Sequence, residues 1–114
     1  MTSSKPLVWL HGQVSTPPFS RAARIEAGTL LRRLQNGETI DMPLSRPMPD
    51  VGRRCHELRV DDDGNVTFRI LYHVASDAIV ILEVFQKKSR ATPKHVLDVA
   101  RKRLRLYERL AGED

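Results

Sequence analysis

From Val66 to Val74 the sequence alternates strictly. Val66, Phe68, Ile70, Tyr72 and Val74 fall on one side, Thr67, Arg69, Leu71 and His73 on the other. A period of two is that of a β-strand, so the segment presents one apolar face and one mixed face. Its flanks narrow the choice of folds further. Asp61-Asp-Asp-Gly-Asn ahead of it is turn chemistry, and the Asp-Gly step favours a hairpin. Cys55 to Val60 therefore reads as the preceding strand. Ala75-Ser-Asp turns the chain into Ala78 to Phe85, which is apolar on both faces apart from Glu83. That pattern belongs to a strand in the middle of a sheet. Three consecutive antiparallel strands form the centre of the fold.

Helical signals lie on either side. Ser20 is a good N-cap for a helix running to about Asn36, with Ala23, Ala27, Leu30, Leu31 and Leu34 recurring at helical spacing. Asn36-Gly37 is its stop. Thr92 is read as the cap of a last helix with Pro93 at its first position, and Val96, Ala100, Leu104 and Tyr107 as its buried stripe. Leu7 to Leu10 is a short edge strand, broken by Ser15-Thr-Pro-Pro. Glu38 to Arg54, with three prolines and no periodicity, is a connecting loop. The expectation is one domain over residues 1–114, with 1–6 a flexible lead-in. Its class is α+β: a small antiparallel sheet of about four strands with two to three helices packed on one side.

Composition adds a charge argument. Of 19 Lys and Arg, nine lie between Gln86 and Leu110 and give that segment a net charge of +7, leaving the remainder of a +5 chain at −2. A compact basic segment on a slightly acidic body is the footprint of a polyanion binder; a solvated arginine-rich helix face is the plainer alternative. The single Cys55 excludes an intramolecular disulfide and fits a reducing cytoplasm. No apolar run reaches the roughly 20 residues needed to span a bilayer, so no membrane association is expected.

Several chemistries fail on spacing. His11, His56, His73, His95 and Cys55 do not have metal-ligand spacing, so neither metal nor cofactor is expected. A calcium loop with Gly64 in sixth place would need carboxylates at Arg59 and Ile70. Cys55 and His56 are adjacent in a strand and point to opposite faces, which leaves Cys55 an ordinary buried thiol. The charged residues on strands are more informative. Glu57 and Arg59 share a face, Arg69 lies on the mixed face of the next strand, and Lys87, Lys88 and Arg90 follow the central strand. An antiparallel sheet can gather these cations around one carboxylate, where they would hold a phosphodiester and stabilise charge developing on it. Plain surface ion pairing of Glu57 is the rival interpretation.

The series Cys55-His-Glu-Leu-Arg, Phe68-Arg-Ile-Leu-Tyr, Phe85-Gln-Lys-Lys and Thr92-Pro-Lys, with Leu30-Leu-Arg-Arg-Leu and Arg46-Pro-Met-Pro, resembles the RelE/HigB family of toxins, in its phage-derived HigB-like branch. The resemblance runs from about Leu7 to Tyr107. It implies the toxin of a type II toxin-antitoxin pair, partnered by a helix-turn-helix antitoxin. The activity implied is a metal-independent endoribonuclease that cuts mRNA on the ribosome, by attack of a ribose 2′-hydroxyl on the adjacent phosphate. Carried over by position, Arg69 contacts the scissile phosphate, Lys88 stabilises transition-state charge and Arg59 contacts the backbone. Lys87, Arg90, Lys94 and Arg101 are the expected further nucleic-acid contacts. Some members carry lysines where this chain has Cys55 and Glu57. Glu57 is then the first candidate for general base, with His56 and His73 behind it and His95 offset from a related position. The alternatives are a ParE-like gyrase inhibitor sharing the fold, or a non-catalytic antitoxin-binding module.

Overall fold

The computed structural model describes residues 4–10 and 19–112. The expected Ser15-Thr-Pro-Pro break and His11 lie outside the described residues. Strand β4 (Val66–Val74) has the bounds that its alternation predicts, and pairs antiparallel with β3 (Cys55–Asp62) and β5 (Ile79–Gln86). The β3–β4 connection is the turn Asp63–Asn65, where Gly64 and Asn65 take φ values of 71° and 61°. Both are left-handed, the conformation that glycine and asparagine adopt most readily.

Two short edge strands complete the sheet. β1 (Leu7–Trp9) pairs with β5, and β2 (Ser45–Pro47) pairs with β3, giving the order β1-β5-β4-β3-β2. The α+β class holds, with two corrections to its details. The sheet has five strands and is mixed, because β1 runs parallel to β5. β2 lies inside what the sequence presents as a featureless loop, too short and proline-rich to show a period. Within the stretch read as a lead-in, Lys5 donates through Nζ to Ala75 O at 2.8 Å, and Pro6 O accepts from Ile79 N at 2.9 Å.

The second correction concerns the helices. α1 (Arg21–Gln35) buries Ala23, Ala27, Leu30, Leu31 and Leu34 against Leu58, Val60, Phe68, Ile70, Tyr72, Ile79 and Ile81. α2 (Lys94–Leu110) buries Val96, Ala100, Leu104 and Tyr107 against Cys55, Leu71, Val80 and Leu82. Neighbouring strand residues thus go to different clusters, so the helices cover opposite faces rather than one. The doubly apolar β5 requires this, since each of its faces must be removed from water. A bulge at Leu71/Tyr72 lets Leu82 and Glu83 both serve the α2 side, where Glu83 pairs with Arg103 at 3.0 Å. No helix among the described residues is long and apolar enough to cross a membrane.

Helix α1 starts where its cap predicts. Ser20 Oγ accepts from Ala23 N at 3.1 Å and itself donates to Asp62 Oδ1, while Ser20 N donates to Asp62 Oδ2 at 3.0 Å. These bonds hold the Asp62 carboxyl below its ordinary pKa. The helix ends at Asn36, with Gly37 left-handed at φ 89°. Ser20 thus caps α1 and fastens it to the end of β3. Ser20→Ala is expected to cost about 1–2 kcal/mol, read as a lower urea midpoint with unchanged slope.

Candidate functional site

Strand alternation sends Cys55, Glu57 and Arg59 to the α2 face of the sheet, and Arg69 emerges beside them from β4. Arg46 on β2 lies directly opposite Glu57 in register, and Arg59 directly opposite Arg69. Like charges facing each other across a ladder repel. Here the two facing arginines turn to different carboxylates: Arg59 Nε donates to Asp61 Oδ1 at 2.9 Å and Arg69 Nε to Glu57 Oε1 at 3.2 Å. Beyond β5, Lys87 N donates to Thr67 O at 2.9 Å, which prolongs the ladder by one step. Lys87 therefore keeps the facing of Phe85, two residues back, and points to Glu57. Lys88 has the opposite parity and is exposed.

Glu57 is the centre of this arrangement, with a side chain only 1% exposed. Its Oε1 accepts from Lys87 Nζ at 3.0 Å, Arg46 Nε at 3.1 Å and Arg69 Nε. Its Oε2 accepts from the Thr92 hydroxyl, which Arg46 NH2 also approaches at 3.4 Å. Burial acts to raise the Glu57 pKa. The hydrogen bonds from Thr92 and Lys87 and the charges of Lys87 and Arg46 outweigh it and hold the carboxyl below its ordinary value. Burial lowers the Arg69 pKa while Glu57 opposes the shift, and a guanidinium remains cationic throughout the physiological range.

One carboxylate shared by three cations leaves an excess of positive charge. The open cleft above it, about 300 Å³, is lined by Met42, Pro43, Arg46, Glu57, Arg59, Arg69, Lys87 and Arg90. Arg69 NH1 is buried there without a hydrogen-bond partner. Leaving such a donor unpaired costs about 1–3 kcal/mol, so a folded chain retains one where something outside the chain pairs with it. The Arg69 side chain as a whole is 16% exposed, so an anion entering the cleft meets its outer part.

The structure gathers Glu57, Arg59, Arg69, Lys87 and Arg90 of the residues expected from sequence. Lys88 does not line the cleft. Lys94 pairs with Asp98 at 3.0 Å, and Arg101 pairs with Asp98 at 3.0 Å while donating to Asp50 O at 2.6 Å. His56 faces the α1 side, stacked on Tyr72 at 5.3 Å, with its pKa lowered by burial and by His73 and Arg54. His73 is buried against Arg53 O, at 3.0 Å, and His95 is exposed. Two members went unrecognised in the sequence, Arg46 and Thr92. Arg46 is hidden by the shortness of β2. Thr92 has the chemistry and position of a helix cap, but α2 is capped at Pro93 without a side-chain bond, and the Thr92 hydroxyl goes to Glu57 instead. Among the described residues, no group of three or more His, Cys, Asp or Glu is placed to hold a metal ion.

Cys55 is chemically quiet. Burial, with help from the Glu108 charge, pushes its thiol up to about 12. Relative to an ordinary thiol at 9.0, on the order of 10³-fold less thiolate is present at neutral pH. Native protein is expected to react with a thiol reagent only as fast as it opens, and urea-unfolded protein at once.

Glu57→Gln removes the charge that holds the three cations and is expected to cost about 3 kcal/mol at pH 7. Because the folded pKa is lowered, Glu57's stabilisation is fully present above the ordinary 4.5. It is lost as pH falls through the folded value. Urea midpoints of wild type and variant are thus expected to differ most at neutral pH and to converge in acid.

A family model described as phage derived protein Gp49-like (DUF891) matches residues 18–105. No curated protein matches the chain.

Proposed function

Because the chain belongs to the Gp49-like phage-derived family, a toxin family of the RelE/HigB type, we propose that it is the toxin of a toxin-antitoxin pair and cleaves RNA in the cleft above Glu57. The observation that carries this reading is the partly exposed Arg69, whose NH1 lacks a partner and which lines, with four further cations, a cleft above a single buried carboxylate. A phosphodiester supplies the missing acceptor and the balancing charge. In the proposed reaction the ribose 2′-oxygen gives its proton to solvent water and attacks the adjacent phosphorus, the bond to the 5′-oxygen breaks, and that oxygen takes a proton from water, leaving a cyclic phosphate and a 5′-hydroxyl. Arg69 and Lys87 bear on the non-bridging oxygens, where negative charge grows in the transition state. Arg59 and Arg90 hold flanking phosphates from the rim.

Glu57 in this reading is a positioning residue. Its Oε1 is shared by Arg46, Arg69 and Lys87 and its Oε2 is bonded to Thr92. Accepting a proton from the 2′-hydroxyl would dismantle the cluster that binds the phosphate. The carboxylate fixes where the cations point, and preorganised cations lower the barrier without rearranging during the reaction. The substrate is mRNA, met on the ribosome in the cytoplasm, and a helix-turn-helix antitoxin restrains the activity.

Purified wild type is expected to cleave mRNA in a translating extract, and Arg69→Ala to lower the rate by about 10²-fold while remaining folded. Lys87→Ala and Lys88→Ala separate the two basic residues: Lys87→Ala is expected to match Arg69→Ala, and Lys88→Ala to lose less than tenfold. Intact RNA together with inhibition of DNA supercoiling by the wild-type protein would overturn the nuclease reading in favour of a gyrase-directed toxin.

A further inference from the structure

The outward face of α2 takes no part in the cleft, and its chemistry is unusual. By 3.6-residue periodicity Val99, Leu106 and Leu110 fall on one line along the helix, with Lys102 and Arg109 directly beside it and Arg105 beyond. Val99 and Leu106 are half-buried, and Leu110 is 76% exposed. Two shallow depressions run along this face, one lined by Asp98, Val99, Arg101, Lys102 and Arg105, the other by Val99, Lys102, Arg103, Leu106 and Arg109. They share Val99 and Lys102, so they lie side by side along α2 and together make one shallow grooved face.

Among the described residues the groove's charge is only partly spent. Arg101 and Arg103 are occupied by Asp98 and Glu83. Lys102, Arg105 and Arg109 form no ion pair among the described residues, and the groove's one acid, Asp98, is bonded to Lys94 and Arg101. A row of uncompensated cations alone would suit any polyanion. Here an apolar line with an exposed leucine runs beside the cations. Phosphate oxygens gain nothing from leucine, whereas an amphipathic helix uses an apolar line and a charged margin together.

We propose that this groove docks an acidic amphipathic helix of a protein partner, about three turns long, with apolar side chains on Val99, Leu106 and Leu110 and carboxylates facing Lys102, Arg105 and Arg109. The length follows from the Val99–Leu110 span at about 1.5 Å per residue. The inference rests on reading the chain as one half of a two-protein pair, and it is independent of the nuclease chemistry. The groove and the cleft above Glu57 share no lining residue, so a helix seated on α2 leaves the cations of the cleft in place.

A fluorescent 16-residue peptide with glutamates on one helical face and leucines on the other tests this, beside an isomer with the same residues scrambled and a 12-nucleotide single-stranded RNA. The full chain is expected to bind the amphipathic peptide at least tenfold more tightly than the scrambled one. Lys102→Glu with Arg109→Glu is expected to weaken that binding at least tenfold, and Leu110→Ser at least threefold. Arg21→Glu with Arg32→Glu, an equal charge change on α1, is expected to leave it unaltered, with RNA binding and cleavage unchanged in all these variants. Equal affinity for the scrambled peptide, equal weakening by the α1 variant, or loss of RNA binding in the α2 variants would each overturn the proposal. Cleavage is measured on the same preparations, so failure of the nuclease reading shows as intact RNA with peptide binding retained.

Discussion

The molecule is organised around one buried carboxylate. Glu57 is withdrawn from water by the sheet, and a lone ion there would neutralise itself by taking a proton. It stays charged because Arg46, Arg69, Lys87 and Thr92 converge on it from four other stretches of chain. The dependence is mutual, since without Glu57 the same cations would repel one another across β2, β3 and β4. An apolar replacement of the whole cluster would satisfy stability equally well, as buried ion networks seldom exceed hydrophobic packing in net worth. What such a replacement could not supply is excess positive charge held in a fixed geometry beneath an open cleft. The cost of burying the group is therefore informative about what the cleft is for.

The strand-rich centre was legible because its signals are local. The alternation of β4, the Asp-Gly turn and the Ser20 cap each depend on a few neighbouring residues, and each appears where expected. Errors arose where a partner distant in sequence decides. β2 is three residues long, too few to carry a period, and it exists because β3 offers it an edge. Thr92 has the right chemistry for a helix cap, and a buried carboxylate 35 residues away outcompetes the helix for its hydroxyl. Placement of the helices was open to better inference. A segment apolar on both faces, as Ala78 to Phe85 is, already requires cover on both sides, and that argues against helices confined to one.

For the site, residue types were readable and facings only partly so. Glu57, Arg59 and Arg69 converge as strand parity predicts. The Lys87-Lys88 pair could not be resolved without knowing that pairing continues one step past β5, since that step decides which lysine faces inward. Arg46 showed only as part of the Arg46-Pro-Met-Pro resemblance and not as a site residue, because its importance lies in standing opposite Glu57 in a pairing that the sequence does not announce.

Drawing its members from five separated stretches gives the Glu57 cluster a further property. A ribosome delivers the chain from the N-terminus, so Arg46, Glu57 and Arg69 emerge well before Lys87 and Thr92. Until those last two arrive, the carboxylate lacks two of its partners and the cleft lacks one wall. Truncated or stalled products ending before Lys87 therefore carry most of the sheet without an assembled cationic site.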